Sequence, residues 1–278
     1  MRTVERASKH LAWLPLVLGL ALCAGPAFAQ PRIVSLDQCA DQYVLALAPR
    51  DEIAGVSKRA LNADSYLRAR AAGLPELRPT LESILGARAN LAVTYWGADP
   101  RLSDALRRRG VAVVQIDEAT DFPGVRADVR KVAGALGQPA AGAALIARMD
   151  ASLAHSRGAW GGARALYLTP GGFTAGQGTL IGAMMAAAGL ASASADPNYG
   201  PDSLEQLVWN PPAALVLGFF RDLSGGRQHW TVAGNGYLRG LVRQRAIASL
   251  PGALLGCPAW FAADGAAALA AARPAKAS

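Results

Sequence analysis

Histidine, cysteine and lysine are scarce in this chain. There are three histidines and three cysteines in 278 residues. Beyond residue 29 only His155, His229, Cys39 and Cys257 remain. That is too few for a histidine-built zinc site, and no C-x-x-C spacing occurs. The two cysteines lie too far apart to be paired from sequence, so a disulfide and two small buried residues both stay open. Arginine supplies nearly all the positive charge, and the lysines beyond residue 29 are Lys58, Lys131 and Lys276. No Lys/Arg run is interleaved with aromatics, so nucleic acid is not an expected partner. The densest basic stretch, "RLSDALRRRG", reads as the solvated face of a helix. No G-x-S-x-G elbow is present, which argues against a serine hydrolase. Past the first 29 residues no apolar run is long enough to cross a bilayer.

The N-terminus reads as an export signal. Arg2, Arg6 and Lys9 precede an apolar stretch, Leu11 to Ala24, and "AFA" at Ala27 to Ala29 fits a small-x-small cleavage site. Lipidation at Cys23 is the alternative, although Leu22 is bulky for it. Cleavage would remove three basic residues and one acid, lowering the formal net charge from +8 to +6. The remaining ~250 residues suit one large domain or two ordinary lobes. The expected compartment is a periplasm.

The rest alternates strand and helix. "RIVSL", "EIAGVS", "LAVTYW" and "VAVVQI" are short, nearly continuous apolar runs, as in parallel strands covered on both faces. "QCADQYVLALA" and "RLSDALRRRG" are helical. From Phe122 to about Gly158 the pattern breaks into two helices, the second opening at Pro139 with Ala144, Leu145, Met149 and Leu153 at helical spacing. The alternation then restarts through "RALYL", "IGAMMAAAGL", "AALVLGFF", "NGYLRGLVRQRAIASL" and a final helix at "GAAALAAA". The halves echo each other: "TLESILGARANLAVTYW" (80–96) aligns with "SLEQLVWNPPAALVLGF" (203–219). The expected fold is α/β, two lobes joined by one long helix. The boundaries are 1–29 signal, 30–138 first lobe, 139–160 linker helix and 161–278 second lobe.

"TPGGFTAGQGTL" (169–180) places four glycines between a strand and a helix, the setting of a phosphate cradle. Gly172, Gly176 and Gly178 fit G-x-x-x-G-x-G, but Ile181 stands where a dinucleotide loop needs its third glycine, and no lysine follows Gly178 for a Walker loop. No tyrosine has a lysine four residues on. An exported oxidoreductase using the Gly172–Gly178 loop is therefore the lesser reading. The glycines still let the loop backbone approach a ligand closely.

Aromatics gather at strand ends: Tyr95 and Trp96 in the first half, Phe219 and Phe220 in the second, with Tyr199 in "DPNYGPD". Ligands of parallel sheets bind beyond the carboxyl ends of strands, so these residues either line a cleft or pack on helices. His229 and Trp230 share a Gly-rich stretch and read either as ligand contacts or as surface loop. Arg59, Arg221 and Arg227 lie in loops where they would meet acidic groups. Glu82 and Glu205 each open a helix, where an acid complements the positive end.

These segments resemble one family. "PRIVSLDQCADQYVLALAPRDEIAGVS", "LESIL…ANLAVTYW", "LRRRGVAVVQID", "ALG…A-ALIARMDA-L" and "LEQLVWNPPAALVL" follow the order seen in class III periplasmic substrate-binding proteins of iron-siderophore and cobalamin ABC importers, over about residues 31–272. Ala89 and Asn90 stand where that family has Pro-Asp. The resemblance implies two Rossmann-like lobes joined by the long helix with the ligand in the cleft between them, residues 169–180 forming one wall with Phe173 and Thr174 reaching the ligand. It implies a non-enzymatic, monomeric binding protein with no cofactor and no metal site of its own, because its metal arrives chelated. The ligand would be a ferric siderophore, a corrinoid or haem. The partner would be an inner-membrane ABC permease, met through Glu82 and Glu205. In cobalamin-binding relatives an aromatic lies six residues before the second docking acid, which here is Tyr199.

Overall fold

Two parallel sheets carry the chain. The computed structural model describes residues 31–201, 204–219 and 235–273. In chain order the elements are β1 (Ile33–Ser35), α1 (Gln38–Leu47), β2 (Ile53–Ser57), α2 (Arg68–Ala71), β3 (Glu76–Leu77), α3 (Leu81–Gly86), β4 (Leu91–Tyr95), α4 (Pro100–Arg108), β5 (Ala112–Ile116), α5 (Phe122–Ala135), α6 (Pro139–Ser156), β6 (Ala163–Leu168), β7 (Phe173–Ala175), α7 (Leu180–Ala187), β8 (Leu190–Ser192), β9 (Tyr199–Pro201), α8 (Leu204–Trp209), β10 (Leu215–Gly218), α9 (Gly236–Arg245), β11 (Ala246–Leu250) and α10 (Ala262–Ala271). The first sheet has the order β3-β2-β1-β4-β5 and the second β11-β10-β6-β8, every pairing parallel. Read outward from β1 and β6, the orders β2-β1-β4-β5 and β8-β6-β10-β11 are the same. The echo between the halves is thus a repeat of topology.

Alternation along the strands explains the layering. Successive side chains point to opposite faces. Ile33 and Val93 enter one core with α1, α5, α6, α7 and α10, whereas Val34 and Ala92 enter a smaller one beneath α3 and α4. In the second sheet Ala165, Tyr167 and Val216 join the large core, and Leu166, Leu168, Leu215 and Leu217 pack against α8 and α9. The large core runs through both halves, and the chain from Pro31 onward forms one compact unit. Among the described residues no helix is long and apolar enough to cross a membrane.

Two helices, α5 and α6, lie between the sheets in the chain. Gly142, Leu145 and Met149 are buried on one stripe of the 18-residue α6, which packs on α5 and on α10. The bidentate hydrogen bonds from Arg126 to the Asp150 carboxylate tie α5 to α6. The stretch "NGYLRGLVRQRAIASL" splits: a helix capped by Asn235 ends at Arg245, and "AIASL" is the edge strand β11.

The glycine-rich segment is not the simple loop expected from sequence. Its middle is β7, which pairs antiparallel with β9. The glycine N–H groups are engaged within the chain: Gly172 donates to Thr169, Gly176 to Asn198 and Gly178 to Pro197, all to backbone oxygens. A Cβ on Gly176 would stand 1.9 Å from the Asp196 carbonyl oxygen. The glycine there admits the close approach of residues 196–198.

Candidate functional site

In a doubly wound sheet the crevice opens where strand order reverses. In the first sheet that point lies between β1 and β4. A cavity of about 390 Å³ opens there, lined by Leu36, Asp37 and Gln38 after β1 and by Thr94, Tyr95 and Trp96 at the end of β4. Asp37 organises it. Its Oδ1 accepts from the N–H groups of Cys39 (3.0 Å) and Ala40 (2.9 Å), capping α1. Its Oδ2 accepts from the Tyr95 N–H (2.7 Å) and the Thr94 hydroxyl (3.2 Å), fixing the end of β4 against the start of the helix. Trp96 follows directly and is 57% exposed in this cavity. The connection is buttressed one turn deeper by Asp41. Its carboxylate is fully buried and accepts from the Ser35 hydroxyl, the Ser57 N–H (2.8 Å) and the Ser57 hydroxyl (2.6 Å). Burial pushes the Asp41 carboxyl up to about 6, against the pull of those hydrogen bonds.

A second cavity, about 180 Å³, lies between the halves. Tyr95, Glu118 and Thr120 approach it from the first half; Leu180, Ile181, Met184 and Tyr199 form the facing wall. Tyr95 and Gly256 line both cavities, so the two adjoin as one cleft. The phenols face each other's fields. Burial pushes Tyr95 well above the ordinary tyrosine range, with Glu118 and Tyr199 adding to it. Tyr199 is also raised, by burial first, while the Thr179 hydroxyl and the Ile181 N–H at the start of α7 pull it down. Both tyrosines therefore stay protonated and act as hydrogen-bonding phenols.

Cys39 and Cys257 are joined in a disulfide with Cα atoms 5.3 Å apart. Cys39 lines the first cavity and Cys257 the second. The bond ties the first turn of α1 to the segment after β11. A seam of contacts continues from it. The Tyr43 hydroxyl donates to the Pro258 carbonyl (2.9 Å), Tyr43 meets Trp260 edge-on, and Tyr66 stacks on Phe261 at 4.3 Å. The Tyr66 hydroxyl donates to Asp264 (2.6 Å), and burial with that partner pushes its pKa up to about 12.

The residues singled out by sequence fall into three groups. Tyr95, Trp96, Tyr199 and Arg59 line the cleft; the Arg59 guanidinium lies 3.8 Å from Asp64. Thr174 is 4% exposed and lines neither cavity, contrary to its expected contact with ligand, because β7 turns it inward. Phe173 is exposed, yet it too stands outside both cavities. Phe219 ends β10 half-buried in the left-handed region (φ 62°) and lines neither cavity. Arg221, Arg227, His229, Trp230 and Phe220 lie outside the described residues, as do residues 1–30, where the export signal was expected. Glu82 and Glu205 are both exposed, each in the first turn of a six-residue helix, α3 and α8. Sequence reasoning passed over Asp37, Gln38, Glu118 and Met184. Glu118 stands two residues past the end of β5, where nothing in the sequence separates it from a surface charge. Among the described residues no group of three His, Cys, Asp or Glu side chains is placed to hold a metal ion.

No family model matches the chain. Two curated relatives, each named cobalamin-binding protein and each from a strain of Halobacterium salinarum, are 30% identical over 202 residues, covering 69% of this chain and 54% of their own. The chain thus spans about half the length of the curated relatives it matches. Among solved structures, the periplasmic heme-binding protein RhuT from Roseiflexus sp. RS-1 in apo form superposes with a TM-score of 0.64 at 23% identity, covering 88% of this chain and 99% of that one. The periplasmic heme-binding protein HutB of Vibrio cholerae gives 0.69 at 17%, covering 87% and 98%. The periplasmic vitamin B12-binding protein BtuF of Vibrio cholerae gives 0.60 at 18%, covering 87% and 95%. The chain has the two-lobed fold of the periplasmic haem- and vitamin B12-binding proteins.

Proposed function

We propose that the chain is the binding component of an importer, which takes a metal chelate into its cleft and delivers it to an inner-membrane ABC permease from the periplasm. The observation that carries this reading is the cleft itself. It opens at the switch point of the first sheet beside Tyr95 and Trp96, and through Tyr95 it continues to Tyr199 and an apolar wall from the other half. A flat, largely apolar ligand edge suits that pairing. The chain's relatives and structural neighbours bind cobalamin, haem or vitamin B12 by name, which supports the same class. In this reading residues 30–138 and 161–278 act as lobes, 139–160 joins them, and a monomer suffices. Arg59 joins the site residues of this reading.

Glu82 and Glu205 are the docking acids of this reading. They occupy matching places, since α3 and α8 each precede the strand that pairs with β1 or β6. Exposed ion pairs are individually weak, but two held apart on one rigid body set orientation. Charge reversal at both is expected to leave chelate affinity unchanged and to abolish uptake in cells. Normal uptake would remove the docking assignment.

The nucleotide alternative is the weaker reading, because the N–H groups of Gly172, Gly176 and Gly178 donate to backbone oxygens within the chain. Titration of tryptophan fluorescence and Tm with cyanocobalamin, hemin, a ferric trihydroxamate and NADH tests the proposal. A chelate should quench and stabilise; a response to NADH alone would overturn it.

A further inference from the structure

Three acids line the cleft of the described chain: Asp37, Asp99 and Glu118. Two have structural tasks. Asp37 accepts from donors on α1 and β4, and Asp99 caps α4 by accepting from the Arg101 N–H (2.8 Å). Glu118 has none. It is exposed, it stands just past β5, and among the described residues its carboxylate takes part in no hydrogen bond or ion pair. The neighbouring Asp117 pairs with Lys131, and the cleft's Arg59 is turned to Asp64. Among the described residues, Glu118 thus presents to the inter-lobe cavity a carboxylate with no hydrogen-bond or ion-pair partner, beside two neutral phenols. Its field reaches both, since it opposes ionisation of Tyr95 and of Tyr199.

A lone carboxylate in a confined cleft sorts ligands by the chemistry of their edge. It accepts from N–H or O–H donors, such as a carboxamide or an ammonium. It repels a carboxylate brought to the same place, and a like-charge contact in a partly desolvated site is a strong rejector. We propose that Glu118 is a specificity-determining residue of the cleft, which accepts a hydrogen bond from a donor on the rim of the chelate and discriminates against chelates that carry an ionised carboxylate there. This rests on the chelate-binding reading above.

The test uses matched pairs that share a core and differ in one edge group. The pairs are cyanocobalamin with its monocarboxylic acid derivative, an ammonium-bearing ferric trihydroxamate with its succinylated form, and hemin dimethyl ester with hemin. Affinities are measured for the wild-type protein and for Glu118→Gln, with circular dichroism and Tm to show that the exposed substitution leaves the fold intact. For whichever core binds, the wild type should favour the carboxylate-free member at least about tenfold, and Glu118→Gln should bring the pair within about threefold. Equal wild-type affinities, or a preference that survives in Glu118→Gln, would overturn the assignment while leaving chelate binding in place. If no core binds the wild type, the chelate reading itself fails, and Glu118 with it.

Discussion

The two halves share a strand order and differ most at their first turn. After β1 the chain needs only Leu36 and Asp37 to enter α1; after β6 it takes residues 169–179 to enter α7. The short turn leaves the N-terminus of α1 facing the cleft, with Asp37 binding the end of β4 to it. The long turn spends its length on β7, its partner β9 and a backbone packing against residues 196–198. One wall therefore brings polar and aromatic groups: Asp37, Gln38, Tyr95, Trp96 and Glu118. The other brings Leu180, Ile181 and Met184, with Tyr199 as the polar exception. The first half is built to recognise an edge, the second to cover a face.

The largest effect should come from cutting the covalent tie between those walls. The disulfide closes a separation of 218 residues, and a loop of that length is worth about 5 kcal/mol by the chain-entropy account. A Cys39→Ser, Cys257→Ser double variant should lose about that much in denaturant melts. Because one core runs through both halves, the single transition should move to lower denaturant as a whole, read by tryptophan fluorescence. An unchanged single transition would show that the aromatic seam around Tyr43 and Tyr66 suffices.

The second effect belongs to the long turn alone. Gly176→Ala sets a methyl against the Asp196 and Pro197 backbone at 1.9–2.6 Å, a clash that backbone cannot yield cheaply. A loss of about 3 kcal/mol is expected. Gly134→Ala, on α5 with nothing within 4 Å, should be neutral or stabilise by about 0.5–1 kcal/mol. Comparable stability for the two variants would mean that the 196–198 packing is looser than described.

The third effect belongs to the short turn. Asp41 has a folded-state pKa of about 6 against 3.8, so the folded protein holds this proton more tightly than the unfolded chain does. Its contribution to stability is therefore greatest below the unfolded value of 3.8 and is lost as pH rises to about 6, by about 2–3 kcal/mol. Asp41→Asn has no such titration. The wild-type advantage over it should shrink across that window in urea melts, and a pH-independent difference would contradict the assignment. Ala183 holds the matching place in α7, so amide protection there should carry no such step.

How much of this was legible follows from what each element is made of. Strands such as β2, β4 and β5 announce themselves as continuous apolar runs, and α4 to α6 as periodic ones. β7, β8 and β9 have three residues each, in "FTA", "LAS" and "YGP", where glycine, proline and serine read as loop; only their pairing makes them strands. The repeat of Leu-Glu before a buried strand was visible because α3 and α8 are the same length. The disulfide was not, since spatial proximity across 218 residues leaves no local mark. Glu118 was hidden for the opposite reason: an exposed acid after a strand looks like any other surface charge until a cavity closes around it.

The smallest effect is the one that separates the walls most cleanly. Trp96 and Phe173 follow matching logic in sequence, each an aromatic beyond a strand end, and they are nearly equally exposed at 57% and 54%. Exposure therefore cannot distinguish them; position can. Trp96 lies in the cavity at the switch point, whereas Phe173 stands on β7 outside both cavities. Trp96→Ala should weaken chelate binding about tenfold, equivalent to about 1.4 kcal/mol, with Tm nearly unchanged because little packing is lost. Phe173→Ala should change affinity by less than about twofold. If both variants lose affinity alike, the glycine-rich segment does reach the ligand and the recognition surface is shared between the halves. If only Phe173→Ala does, the division between an edge-reading wall and a face-covering wall is inverted.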